Sequence, residues 1–225
     1  MKILILSNPY ENLLNQIELA KSLKFDGIEI VLERETKKLF LENKNKISKE
    51  LGNLIYVYHL DHRYNIFNEA HFKELEKICK EIDSFAVLHL NCEKENFEDF
   101  VKKVKKLNNE KIIIENLDHS IEELQYFLEI SDLNLAFDFS HAISFNSTKK
   151  VLNFVEKNKE RIVHFHISDC ISFEHSHLPL GKGILPIKEI WKILKNFSKT
   201  ITLEIIETNI PEIEYFVSLN ILKSL

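Results

Sequence analysis

Between Arg161 and Pro186 the chain reads RIVHFHISDCISFEHSHLPLGKGILP, a stretch with four of its ten histidines (His164, His166, His175, His177) and two of its four glycines (Gly181, Gly183). A hydrophobic run from Ile162 to Ile167 leads into Ser168 and Asp169, and a polar loop follows. Imidazole is the commonest biological metal ligand and titrates near neutral pH. Several imidazoles and a carboxylate at one strand end therefore read as a metal or catalytic site. The plainer alternative is a surface loop rich in histidine. His59, His89, Glu115, Asp138, His141 and Glu204 are further candidates elsewhere in the chain. Carboxylates and imidazoles without thiolates are borderline-to-hard donors, suited to Zn2+, Mn2+ or similar ions. Cys79, Cys92 and Cys170 form no CxxC pair and are read as packing or loop residues. So few thiols point to a reducing cytoplasm rather than a disulfide framework.

The elements that would position these residues can be read from hydrophobic patterning. Short apolar runs at Lys2–Leu6, Gly27–Leu32, Leu54–Leu60, Phe85–Leu90, Lys111–Leu117, Leu133–Phe139, Ile162–Ile167 and Thr200–Ile206 read as strands. Segments with apolar residues at helical spacing follow each: 11–23, a charged stretch up to Leu51-Gly52, then roughly 68–82, 96–107, 121–130, 147–158, 186–197, and Pro211 onward. Near-continuous apolar strands are covered on both faces. Strict alternation of strand and helix requires parallel strands with crossover helices. Eight such units predict a single (β/α)8 barrel over residues 1–225. An open doubly wound sheet is the alternative, but Ser7-Asn8-Pro9-Tyr10 is not the Gly-rich phosphate turn it calls for.

In such a barrel, chemistry sits at the C-terminal ends of the strands. The second strand contains Glu29 and ends near Glu33. The third to eighth end in His59, His89, Glu115-Asn116, Asp138 (with His141 one short turn on), His166 with Asp169, and Glu204. Any one of these can be merely solvated; six consecutive strands delivering an Asp, Glu or His to one rim converge on a pocket. Side chains alternate faces along a strand. His164 therefore shares His166's face one layer lower, and reads as a hydrogen-bonded core histidine. Glu204 and Glu207 lie on opposite faces. Glu204, inside the apolar run, must be paired and is preferred over Glu207, read as a surface residue. His62, His71 and His119 fall off this series.

Together these motifs resemble the xylose isomerase-like TIM barrels, which include sugar and sugar-phosphate isomerases and epimerases and the apurinic endonuclease IV group. The resemblance rests on Ile114-Glu115-Asn116, Asp138-Phe-Ser-His141, His164-Phe-His166-Ile-Ser-Asp169, His177-Leu-Pro-Leu-Gly181-Lys-Gly183 and Leu203-Glu204, in this order along the chain. For the isomerases and epimerases it implies one divalent ion (Mn or Zn) on Glu115, Asp138, His166 and Glu204. Glu115 and Glu204 would exchange a proton with the substrate carbon through a metal-stabilised enediolate. His141 would hold a substrate hydroxyl, and His59, His89 and His177 would line the pocket. Some epimerases place an arginine six residues after the strand-7 histidine, where this chain has Ser172. For the endonuclease branch it implies up to three zinc ions, with His59, His89, Glu115, Asp138, His141, His166, His177 and Glu204 at ligand positions. His175 stands where that branch has aspartate, and Ser176 where it has arginine.

Composition weighs between the branches. The net charge is −5, and the only arginines are Arg34, Arg63 and Arg161. No basic face for nucleic acid is apparent, and phosphate contacts dominate DNA affinity. The expectation is a metal-dependent isomerase or epimerase acting on a sugar or sugar phosphate in the cytoplasm, without membrane contact. A zinc-dependent apurinic-site endonuclease acting on DNA is the alternative. A third reading is a barrel that binds a metal and a small ligand without turnover. Lys182, between Gly181 and Gly183, is a candidate phosphate contact or a solvated turn residue. The helices hold enough apolar residues for a homodimer face.

Overall fold

The apolar runs fold into strands because each can bury both faces, one toward the barrel interior and one toward a helix. In a computed structural model, residues 1–171, 174–206 and 210–225 are described, with the backbone alone for 174–176. The chain order is β1 (Lys2–Leu6), α1 (Leu13–Ser22), β2 (Gly27–Leu32), α2 (Arg34–Leu51), β3 (Ile55–Leu60), α3 (Glu69–Glu81), β4 (Ala86–His89), α4 (Phe97–Lys106), β5 (Ile112–Glu115) and α5 (Ile121–Ile130). Then come β6 (Leu135–Asp138), α6 (Phe139–Phe145), α7 (Thr148–Lys157), β7 (Ile162–Ile167), β8 (Asp169–Ile171), β9 (Glu174–Leu178), α8 (Ile187–Leu194), β10 (Thr200–Leu203) and α9 (Pro211–Ser224). Eight strands close in the order β1-β10-β7-β6-β5-β4-β3-β2, all neighbours parallel. This is the (β/α)8 TIM barrel.

Two features depart from the expected pattern. The residues after Asp138 form a helix of their own, α6, rather than a turn. Asp138 caps it, its Oδ1 accepting from the His141 backbone N–H at 2.6 Å. A carboxylate at a helix start satisfies an N–H that has no intrahelical partner, so a seven-residue helix persists where the apolar period was too short to announce it. The polar loop expected after the seventh strand contains an antiparallel hairpin, β8 with β9. The expected positions of Ser172 and Glu207 lie outside the described residues, as do the side chains of His175 and Ser176.

Local chemistry fixes several of these elements. Ser120 and Glu123 form a reciprocal capping box at the start of α5. Helix α4 has Glu98 and Asp99 in its first turn and Lys103, Lys105 and Lys106 in its last, matching the helix dipole. Gly27 is required by a close approach: a Cβ there would lie 2.0 Å from the Ile55 carbonyl oxygen on the paired strand. The barrel interior is layered. Val57, Val87, Ile113 and Ala136, each two residues before His59, His89, Glu115 and Asp138, form one buried cluster with Leu4. Strand parity puts them on the same inward face, one layer below the rim. A larger core fills the space between barrel and helices. No helix among the described residues is long and apolar enough to cross a membrane.

Candidate functional site

Glu115, at the end of β5, is the hub of the rim. Its Oε1 lies 2.8 Å from His166 Nδ1 on β7. Its Oε2 lies 3.2 Å from His59 Nε2 on β3 and 3.0 Å from His89 Nε2 on β4. Glu204, just past β10, brings Oε2 to 3.0 Å from the same His166 Nδ1. His59, Glu115, His166 and Glu204 each present a donor atom within 4.8 Å of the others, and all four are buried. Two imidazoles and two carboxylates converging on one point are a donor set for a divalent ion.

Asp138 completes the rim from β6. Asn116 holds its backbone, accepting from the Asp138 N–H at 2.8 Å and donating to its carbonyl at 3.0 Å. The carboxylate is fully buried; Oδ1 caps α6, and Oδ2 has no hydrogen-bond partner among the described residues. A buried carboxylate oxygen facing other carboxylates without a donor fits a cation. His141, carried inward by α6, pairs through Nδ1 with Asp118 Oδ1 at 3.0 Å. His177, at the end of β9, approaches Glu204 at 3.8 Å and His141 with ring centroids 6.2 Å apart. Its φ of 39° lies in the left-handed region, strained for a residue with a Cβ.

Two other sequence candidates lie away from this point. Asp169 is fully buried, but its Oδ1 accepts from the N–H groups of Cys170 and Leu185, and its Oδ2 from that of Gly181. It closes the loop that carries Gly181 and Gly183 rather than facing the rim. A Cβ on Gly183 would meet the Cys170 carbonyl oxygen at 2.2 Å and Asp169 Oδ1 at 2.5 Å, so that loop admits only glycine there. Lys182 is exposed in the same turn and is not among the residues lining the cavity described below.

Burial and neighbouring charge act against each other across the rim. Burial raises the Glu115 carboxyl, but the imidazoles of His166 and His89 and the hydrogen bonds from His166 and His59 hold it well below the usual range. Glu204 is likewise lowered, burial being outweighed by His166 and His177. Asp138 goes the other way: burial, with Glu204 and Glu115 adding to it, lifts its carboxyl to about 7. His59 and His141 rise to about 9, because nearby carboxylates outweigh burial, which favours the neutral ring. Burial dominates for His177, which is lowered.

Above the rim opens a cavity of about 690 Å³, with His59, His89, His141, His177 and Glu204 at its floor. Its walls come from the segment 7–11 after β1, Glu33, His62, Ile205, Ile206 and Tyr215. The mouth is acidic. Arg63 donates to Asp61 at 2.7 Å and lies 3.4 Å from Glu33, whose other oxygen is 2.9 Å from His62 Nδ1.

Beneath the rim is a network that the strand-end series left out. Glu29, fully buried inside β2, accepts from His164 Nε2 at 2.9 Å, Thr202 Oγ1 at 2.6 Å and His166 Nε2 at 3.0 Å. Its signal was present in the sequence: a carboxylate within a run buried on both faces must find partners inside the barrel.

A family model described as "Xylose isomerase-like TIM barrel" matches residues 17–225. No curated protein matches in sequence. The fold is similar to 3-keto-D-glucoside 4-epimerase, YcjR, from E. coli, at TM-score 0.73 and 16% identity, covering 100% of both chains. A D-tagatose 3-epimerase-like protein superposes at TM-score 0.70 and 22% identity, covering 100% of this chain and 99% of that one. Endonuclease IV from Thermus thermophilus superposes at TM-score 0.74 and 16% identity, covering 100% of this chain and 98% of that one. These likenesses concern the fold; with the family match over most of its length, the chain belongs to the xylose isomerase-like TIM barrel family.

Proposed function

We propose that this protein is a divalent-metal-dependent isomerase or epimerase of a sugar or sugar phosphate. The observation that carries the reading is the convergence of His59, Glu115, His166 and Glu204 within 4.8 Å at the base of the cavity. The ion would be held by Glu115, His166 and Glu204, with Asp138 supplying the oxygen that has no protein partner among the described residues. When bound, it supplies Lewis acidity toward adjacent substrate oxygens and offsets the negative charge that develops on them. Glu115 and Glu204 reach the site from β5 and β10, which two strands, β7 and β6, separate in the barrel wall. Imidazoles around each favour the carboxylate, so either can serve as the base. One breaks the C–H bond next to the carbonyl by taking its proton. The other enters that turnover protonated and delivers its proton to the opposite face of that carbon, or to its neighbour, so the two carboxyls exchange protonation states. His141 and His177 stand at the cavity floor where hydroxyl groups would lie. The acidic mouth, with Arg63 already engaged, suits a small polyhydroxylated substrate better than a polyanion. The test is metal content of the protein purified without chelator, followed by a ketose and aldose panel. About one exchangeable ion per chain and interconversion of a ketose or aldose are expected. No uptake of zinc or manganese would overturn the reading.

One observation favours a second reading, a zinc-dependent apurinic-site endonuclease. His59 Nε2 and His89 Nε2 lie 3.3 Å apart and share Glu115 Oε2, a donor set that would hold a further ion. Close to three zinc ions per chain, with cleavage of an abasic duplex at low salt, would decide for it.

A further inference from the structure

We propose that Glu29 is the positioning residue that sets His166 as a ligand, fixing which nitrogen faces the rim and which carries the proton. The inference rests on the metal-dependent reading above. His166 is fully buried and has no route to solvent for either nitrogen. Its Nδ1 points up, 2.8 Å from Glu115 and 3.0 Å from Glu204. Its Nε2 points down, 3.0 Å from both oxygens of Glu29. The lower nitrogen thus has a carboxylate acceptor on its axis, and the upper one is left to bind.

Glu29 is itself held. Thr202 Oγ1 donates to its Oε2 at 2.6 Å, and His164 Nε2 reaches the same oxygen at 2.9 Å. His164 is anchored behind by Thr200 Oγ1, 2.6 Å from Nδ1. His164 thus has a partner on each ring nitrogen, Glu29 at Nε2 and Thr200 at Nδ1. The side-chain polar atoms of this lower layer each have a partner, and both Glu29 oxygens face His166 Nε2. A carboxylate behind a ligating histidine fixes its tautomer and orientation and makes its free nitrogen more basic; losing such a partner weakens metal affinity about 10–100-fold.

Glu29 lies below the cavity floor and does not line it, so its effect on substrate passes through His166. The test is a Zn2+ competition titration against a chromophoric chelator, on the native protein and on Glu29→Gln. Far-UV circular dichroism and melting would establish that the variant is folded. Glutamine keeps the volume and an acceptor but removes the charge. The expected result is an affinity about 10–100-fold weaker at unchanged stoichiometry. A folded Glu29→Gln protein with native zinc affinity would overturn the inference and leave the proposed function standing. A native protein that takes up no metal would overturn both. If Glu29→Gln does not fold, 15N chemical shifts of His166 in the zinc-loaded native protein decide. A proton on Nε2 with zinc at Nδ1 supports the assignment, and the reverse tautomer sinks it.

Discussion

Two clusters of imidazole and carboxylate lie one layer apart in the same barrel. Glu115 is 1% exposed and Glu29 0%, so burial does not distinguish them. What differs is closure. Around Glu29 each donor has an acceptor, from Thr200 through His164 to the carboxylate that also receives Thr202 and His166. Around Glu115 one oxygen is shared by two imidazoles whose Nε2 atoms approach each other at 3.3 Å, and Asp138 Oδ2 has no donor among the described residues. A closed buried network rigidifies a core, whereas an open one leaves desolvated groups awaiting a partner. Equal burial therefore hides a difference: the lower cluster is closed by the chain, and the upper one is left open by it.

The sharpest way to break this contrast is Glu115→Gln or Glu204→Gln. Turnover should drop about 10²–10⁴-fold, the usual weight of an acid–base group, while circular dichroism stays native. Full-rate interconversion by either variant would remove the upper cluster from the chemistry. Next in size is Thr202→Val in the lower cluster. It removes a buried donor to Glu29 and should lower stability by about 1–3 kcal/mol, read as a fall in melting temperature with the number of bound ions unchanged.

Asp138→Asn should move stability the other way in metal-free protein. The Asp138 carboxyl is raised to about 7 from an ordinary 3.8, so the folded state holds its proton more tightly than the unfolded chain. The group therefore subtracts stability as pH rises from about 4 through about 7. The variant should melt higher above pH 7, by roughly 2–4 °C for each kcal/mol recovered, with the gain vanishing toward pH 4, and it should bind metal more weakly. A lower melting temperature at pH 8 would show that the carboxylate is already compensated by protein. The smallest change is Thr200→Val, at the half-buried end of the lower chain. It should cost about 0.5–1.5 kcal/mol and leave zinc affinity within twofold.

The contrast also marks what the sequence could disclose. Strands β1, β2 and β7 have the bounds their apolar runs predict. The rim was legible because His59, His89, Glu115, Asp138, His166 and Glu204 each stand at such an end. Helix α6 was not, since seven residues hold too few helical repeats to separate from a loop, and its start depends on a cap that is also a candidate ligand. The pairing of Glu29 with His164 and His166 was hidden by distance along the chain. Periodicity reports which face a residue takes; it does not report which strand lies across the barrel. Asp169 misled for a related reason: its position matched the rim, while its oxygens serve backbone N–H groups of the following loop.

The Glu29 network has a consequence for how the chain reaches its native state. Its carboxylate is made early, and its hydrogen-bond partners lie 135 to 173 residues later. During synthesis the first strands emerge with a charge that the finished barrel seals from water, before any of those partners exists. Burying it alone is prohibitive, so β2 cannot settle into a dry interior until β7 and β10 arrive. Contacts of such long sequence separation form slowly, because the loop must close before they contribute. The residue argued to aim His166 is thus also a checkpoint on assembly, tying completion of the site to completion of the barrel.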